Sequence, residues 1–208
     1  IAAGLDAKVF HWPWCDDFAA ARNVSLDHAS GEWLFWMDSD DTLPEACGRK
    51  LRALADGEHP PGILGYVMQV HCPGNDATDM TIVDHVKLFR NLPELRFEFR
   101  IHEQILPAIR RADGEVLFTD IYVVHSGSDR TEDGLKKKLE RDFRLLDLEH
   151  RERPDHPFVL FNLGMTHADC GQHADAIRYL QRCLEVSGVD ESHVRKAYAL
   201  LISSLMQS

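Results

Sequence analysis

The segment Asp38-Ser39-Asp40-Asp41 delivers three carboxylates in four residues, directly after the apolar run Trp33-Leu34-Phe35-Trp36-Met37. Such a run reads as a strand buried on both faces. Burying uncompensated carboxylates is costly, so the acids belong at the rim of the sheet. In open α/β sheets the carboxyl ends of strands are where ligands bind. Along an extended segment Asp38 and Asp40 project to the same side. Both can then face one divalent cation, and Mg2+ or Mn2+ prefers hard oxygen ligands of this kind. A cation held there would bridge two phosphate oxygens and stabilise a leaving diphosphate. The competing reading of the acids is a helix cap and turn ahead of Pro44, a role that suits Asp41.

The elements that position these acids follow from pattern and punctuation. Residues 8–12 read as a short strand, ended by the stiff turn Trp12-Pro13-Trp14. Asp16 or Asp17 can cap a helix over 18–29, which Ala19, Ala20 and Ala21 support and Ser30-Gly31 ends. The strand over 33–37 follows. Pro44 opens a helix to about residue 55, with Asp41 or Thr42 as cap. Residues 65–72 and 83–89 read as strands joined through Pro73-Gly74-Asn75-Asp76, and 116–118 and 122–125 as two further short strands. Residues 96–99 alternate polar and apolar, and 102–111 fits either a helix or a loop. Alternating helices and strands give an α/β layer with a mixed sheet flanked by helices.

After Ser126-Gly127-Ser128 the strands stop, which divides the chain into 1–128 and 129–208. Leu135, Leu139, Phe143 and Leu146 lie on one face of a helix reaching about residue 151. Residues 157–188 read as a helical hairpin in which Gly164, Gly171, Ala176, Leu180 and Cys183 fall where a tetratricopeptide repeat wants small or apolar side chains. A helix from Glu191 would begin the next unit. The bland alternative is an ordinary helical hairpin capping the first domain.

Bulk composition narrows the classes. A net charge of -11 argues against a nonspecific nucleic-acid or anionic-membrane surface. No apolar stretch approaches the ~20 residues that span a bilayer. The five cysteines form no Cys-x-x-Cys pair, which favours reduced thiols and a cytoplasmic location. The first residue is Ile1, not Met, so the chain reads as a piece of a longer protein.

A resemblance then becomes specific. Trp14-Cys15-Asp16-Asp17-Phe18-Ala19-Ala20-Ala21-Arg22-Asn23, followed by residues 31–41 with their Asp-x-Asp, resembles the family-two glycosyltransferases of GT-A fold, in the branch with W-x-x-D-F-A-x-A-R-N. Val86-Lys87-Leu88-Phe89-Arg90-Asn91, Ile101-His102-Glu103-Gln104-Ile105 and Val123-Val124-His125-Ser126-Gly127 are similar to later blocks of that branch. Tetratricopeptide repeats often follow its catalytic domain. The resemblance therefore implies a partial GT-A sheet with a helical tail. It lacks the first strand-helix-strand, which binds base and ribose.

The resemblance implies transfer of a sugar, with inversion, from a nucleotide-sugar, commonly a UDP-sugar, to an acceptor the sequence does not name. It implies that Asp38 and Asp40 flank a metal and the sugar-phosphate, and that His125 is a further metal ligand; a neutral imidazole suits Mn2+. His102-Glu103 becomes the candidate base region, with Glu103 favoured. Arg22 could hold a phosphate and Asn23 a sugar hydroxyl, against the alternative of a salt bridge from Arg22 to Asp16 or Asp27. Arg90 and Arg100 are weaker diphosphate candidates. One of Trp12, Trp14, Trp33 and Trp36 could stack on a sugar, although most belong to the core. The tail could recruit a protein partner or acceptor. Two other readings remain: a non-catalytic interaction scaffold with a degenerate transferase domain, and, ranked last, a metal-dependent phosphohydrolase.

Overall fold

The structure is a computed structural model and describes residues 4, 7–74, 80–127, 131–189 and 191–208. The chain divides into two compact units, Ile1–Gly134 and Leu135–Ser208.

The first unit is a mixed five-stranded sheet with helices on both faces. Its strands are β1 (Trp33–Phe35), β2 (Asp41–Thr42), β3 (Ile63–Pro73), β4 (Met80–Arg90) and β5 (Glu115–His125), in the spatial order β1-β4-β3-β5-β2. Only the β3–β5 pair is parallel. Helix α1 (Phe18–Asp27) is capped by Asp17, whose carboxylate accepts the Ala20 amide at 2.8 Å. It buries Ala19 and Leu26 in a core with Val67, Val86, Phe89 and, from α3 (Leu106–Arg111), Ala108 and Ile109. The opposite core holds Tyr66, Met68, Leu88 and Ile121, and helix α2 (Glu45–Ala55) supplies Cys47 to it.

Several expectations need correction. The tryptophan-rich run is not a strand buried on both faces. β1 is three residues long and paired only with β4 at the sheet edge, so only Leu34 is buried within it. Residues 8–12 form no strand; Val9, Phe10 and Trp12 stay about half exposed because no strand pairs with them. Neither Asp41 nor Thr42 caps α2. Both residues belong to β2, Pro44 is the N-cap, and no side chain bonds there. The two short strands expected over 116–125 are one strand. Its register with β3 breaks between Phe118 and Tyr122, where the Thr119 hydroxyl bonds back to the Val67 carbonyl at 3.0 Å. That break interrupts the period-two pattern. The expected turn at 73–76 falls partly outside the described residues, at Asn75 and Asp76.

The second unit is helical: α4 (Glu132–Glu152), α5 (Pro157–Asp169), α6 (His173–Val186) and α7 (Val194–Gln207). Phe143 and His150 of α4 meet the rings of His167 on α5 and Tyr179 on α6. α5 and α6 are the expected hairpin. A Cβ on Gly164 would lie 2.6 Å from Leu180 Cγ, so glycine is what lets these helices approach. Gly171, with φ of +70°, turns the chain between them. Ala176, Leu180, Cys183 and Ala197 are fully buried along the same seam, the small-residue packing of tetratricopeptide-like helices. No helix of the described residues is long and apolar enough to cross a membrane.

Candidate active site

The connection from β1 to β2 takes the chain from one edge strand of the sheet to the other. The acids lie on it, and they form a tight turn, not an extended segment. The Asp41 amide donates to the Asp38 carbonyl at 3.1 Å, and the Asp38 amide donates to Asp41 Oδ2 at 3.0 Å. The turn turns Asp41 inward. Its side chain is fully buried, while those of Asp38 and Asp40 remain 41% and 31% exposed.

β2 then pairs with β5 so that Asp41 lies directly across from His125. Cross-strand neighbours share a face, and His125 Nδ1 is 2.9 Å from Asp41 Oδ1. The other ring nitrogen, Nε2, lies 3.6 Å from Asp40 Oδ2. The Asp40 carbonyl accepts both the amide and the hydroxyl of Ser126, which ties the acidic turn to the end of β5. One ligand atom from each of Asp38, Asp41 and His125 falls within 4.8 Å of the others. Two carboxylates and an imidazole make a mixed oxygen and nitrogen donor set that fits Mn2+.

Arg22, on α1, reaches across to this turn instead of pairing along its own helix. Its Nη2 donates to Asp38 Oδ1 at 3.0 Å, and both Nε, at 3.0 Å, and Nη2 donate to Glu103 Oε1. The guanidinium carbon lies 4.0 Å from the centre of the Trp36 ring. Arg22 is therefore the bridge between the metal-binding candidate Asp38 and the base candidate Glu103. Glu103 sits on a loop closed by reciprocal backbone bonds between Glu98 and Gln104, each 3.0 Å. Phe99 and His102 both have positive φ, 74° and 55°, so this loop turns through conformations that side chains disfavour.

The remaining predicted residues have other partners. Both ends of the Asn23 amide bond the Phe97 backbone, at 2.9 and 2.8 Å, which clamps α1 to that segment. Arg90 pairs with Glu32 and lies over Trp33. Arg100 donates to the Asp16 carbonyl at 3.3 Å, at the start of α1. Trp36 donates its indole N–H to the Val86 carbonyl at 2.7 Å and carries Arg22 and Lys87 against its ring. Trp12 and Trp14 are the half-exposed tryptophans.

Sequence reasoning missed Lys87 and His85 as parts of this site, and gave Asp41 only a capping role. Lys87 is 1% exposed and bonds Asp41 Oδ2 at 2.7 Å. Burial alone pushes the Asp41 carboxyl up; Lys87, the Asp38 amide and His125 outweigh it and hold the group below the ordinary carboxylate range. Burial pulls the Lys87 ammonium down, and Asp41 limits that fall. His85 lines a narrow cavity with Trp36, Phe97 and Glu103, and burial lowers its imidazole below the ordinary value. The available signal was a lysine inside the apolar run Val86-Lys87-Leu88-Phe89, which requires a buried counter-charge.

The family model for glycosyl transferase family 2 matches residues 1–106. The chain belongs to that family. A TPR repeat-containing protein of Synechococcus elongatus is 28% identical over 207 residues, covering 97% of this chain and 49% of that protein. The SPbeta prophage-derived glycosyltransferase SunS of Bacillus subtilis is 23% identical over 208 residues, covering 97% of this chain and 47% of that protein. The chain thus spans about half the length of the curated relatives it matches.

Proposed function

We propose that the protein is a metal-dependent, inverting glycosyltransferase that moves a sugar from a nucleotide-diphosphate sugar, a UDP-sugar, to an acceptor nucleophile. The observation that carries this reading is the approach of Asp38, Asp41 and His125 to within 4.8 Å of one another, with Asp40 Oδ2 3.6 Å from His125 Nε2 and Arg22 joining Asp38 to Glu103. Asp38, Asp40 and His125 would hold Mn2+ or Mg2+. The cation supplies positive charge to the departing diphosphate. Glu103 accepts the acceptor's proton as its nucleophile attacks the anomeric carbon and the sugar–phosphate bond breaks. Arg22 fixes Glu103 relative to Asp38, and so sets the distance between base and leaving group. With both its carboxylate partners engaged, Arg22 acts as a positioning residue ahead of any phosphate contact.

The tetratricopeptide-like unit supports recruitment of a protein partner or a protein-borne acceptor. None of the five cysteines is in a disulfide, which supports a cytoplasmic setting. The test is release of nucleotide from a panel of sugar nucleotides by the full-length protein with Mn2+. We expect turnover of at least one donor, lost in Asp38→Asn and in Glu103→Gln. No turnover of any donor, with or without acceptor extracts, would leave the interaction-scaffold reading in its place.

A further inference from the structure

We infer that Lys87 and Asp41 are positioning residues for His125: their buried pair holds the imidazole as its Nδ1–H tautomer and presents the Nε2 lone pair to a divalent cation. The inference rests on the metal-site reading above and adds to it the residues that orient the ligand.

The argument starts in β4. The pairing of β3 with β4 runs Gly65 to Phe89 and Tyr66 to Leu88, then shifts to Val67 opposite Val86. Lys87 is the extra residue of a β-bulge. A bulge re-aims a side chain that regular alternation would send elsewhere. It also puts Val86 and Phe89 in one core and Leu88 in the other. The re-aimed Lys87 side chain passes against Trp36, with Nζ 3.6 Å from the ring centre, and ends at Asp41.

The hydrogen bonds of Asp41 then settle which nitrogen of His125 carries the proton. Oδ2 accepts from Lys87 and from the Asp38 amide, at 2.7 and 3.0 Å. Oδ1 faces His125 Nδ1 at 2.9 Å. An ionised carboxylate only accepts, so Nδ1 must donate. In a neutral ring the lone pair is then on Nε2, which faces Asp40 Oδ2 at 3.6 Å. Two acceptors opposed across that gap can share a cation. Histidine ligands generally give their second N–H to a carboxylate in this way. Asp41 is fully buried with both oxygens engaged, whereas the Asp38 and Asp40 carboxylates are 41% and 31% exposed, so Asp41 orients the imidazole and the other two acids remain open to a cation.

The tautomer can be read directly, without cation or activity. Two-bond 1H–15N correlation spectra of the metal-free, histidine-labelled full-length protein would be recorded roughly two units above the ordinary imidazole value. His125→Gln assigns the signal. We expect the wild-type ring to carry its proton on Nδ1. In Asp41→Asn the amide oxygen stays with Lys87 and the NH2 turns to His125, so the proton moves to Nε2. Mn2+ affinity, read as free Mn2+ by electron paramagnetic resonance, should fall ~10–100-fold in that variant. Should Asp41→Asn fail to fold, Asp41→Asn/Lys87→Met removes both buried charges, and the same loss of the Nδ1–H form is expected. Wild-type His125 protonated on Nε2, or a tautomer and Mn2+ affinity unchanged by Asp41→Asn, overturns the inference. A Nδ1–H ring in a protein that binds no Mn2+ is a different result, and it overturns the metal reading instead.

Discussion

The two units satisfy their buried polar groups over very different distances along the chain. In the helical unit, Thr166 bonds the Asn162 carbonyl and Asn162 bonds the Phe158 carbonyl, both four residues back. In the sheet unit, Arg22 and Glu103 are 81 residues apart, His125 and Asp41 84, Asn23 and Phe97 74, and Lys87 and Asp41 46. Local bonds form as soon as a helix does. Long-range ones exist only when the whole sheet is assembled, so the candidate site depends on global folding of its unit, whereas these two helical bonds do not.

This contrast predicts where single substitutions hurt. The largest effect belongs to Lys87→Met, which strands the Asp41 carboxylate in the core. Breaking such a pair on one side costs about 3–5 kcal/mol. Urea unfolding followed by tryptophan fluorescence reads the sheet unit selectively, because Trp12, Trp14, Trp33 and Trp36 all lie there. Asp41→Asn/Lys87→Met should recover much of the loss, and a single-variant cost near zero would break the comparison. The same pair sets an acid limb. Asp41 is held below its ordinary value, so its contribution is present above the ordinary carboxylate range and is lost as pH falls through the lowered value. Asp41→Asn should flatten that limb in a plot of unfolding free energy against pH.

In the tail the sensitive quantity is volume. Gly164→Ala drives a methyl toward Leu180 Cγ, 2.6 Å away. Overpacking of about 1–3 kcal/mol, less roughly 1 kcal/mol of helix propensity, leaves a net loss of up to about 2 kcal/mol, measurable by far-UV circular dichroism. The smallest effect sharpens the argument by holding the unit constant. Asp17 bonds Ala20 three residues away, so Asp17→Ala should cost only about 1 kcal/mol even within the sheet unit. A cost equal to that of Lys87→Met would mean that separation along the chain is not what matters.

The same distinction decides what could be read from the sequence. Helix α1 with its Asp17 cap, the hairpin around Gly164 and Leu180, and the mixed sheet all follow from local periodicity and punctuation. The acidic turn was visible as residue types, but its geometry was not, because Asp41 turns inward only in response to Lys87 and His125. The Lys87 bulge and the register break in β5 depend on partner strands. Period-two patterns cannot reveal them. Only the family resemblance marked Arg22 as a phosphate candidate, against a salt bridge along its own helix; that it bridges Asp38 and Glu103 required the loop around His102.

The most direct test of the central claim is the thermal stability of the full-length protein with Mn2+ and UDP. A ligand that binds only the folded state at a hundredfold excess over Kd adds about 2.7 kcal/mol. We expect a rise in Tm that requires both Mn2+ and UDP and disappears in Asp38→Ala. A Tm that no combination of divalent cation and nucleotide shifts would contradict the account.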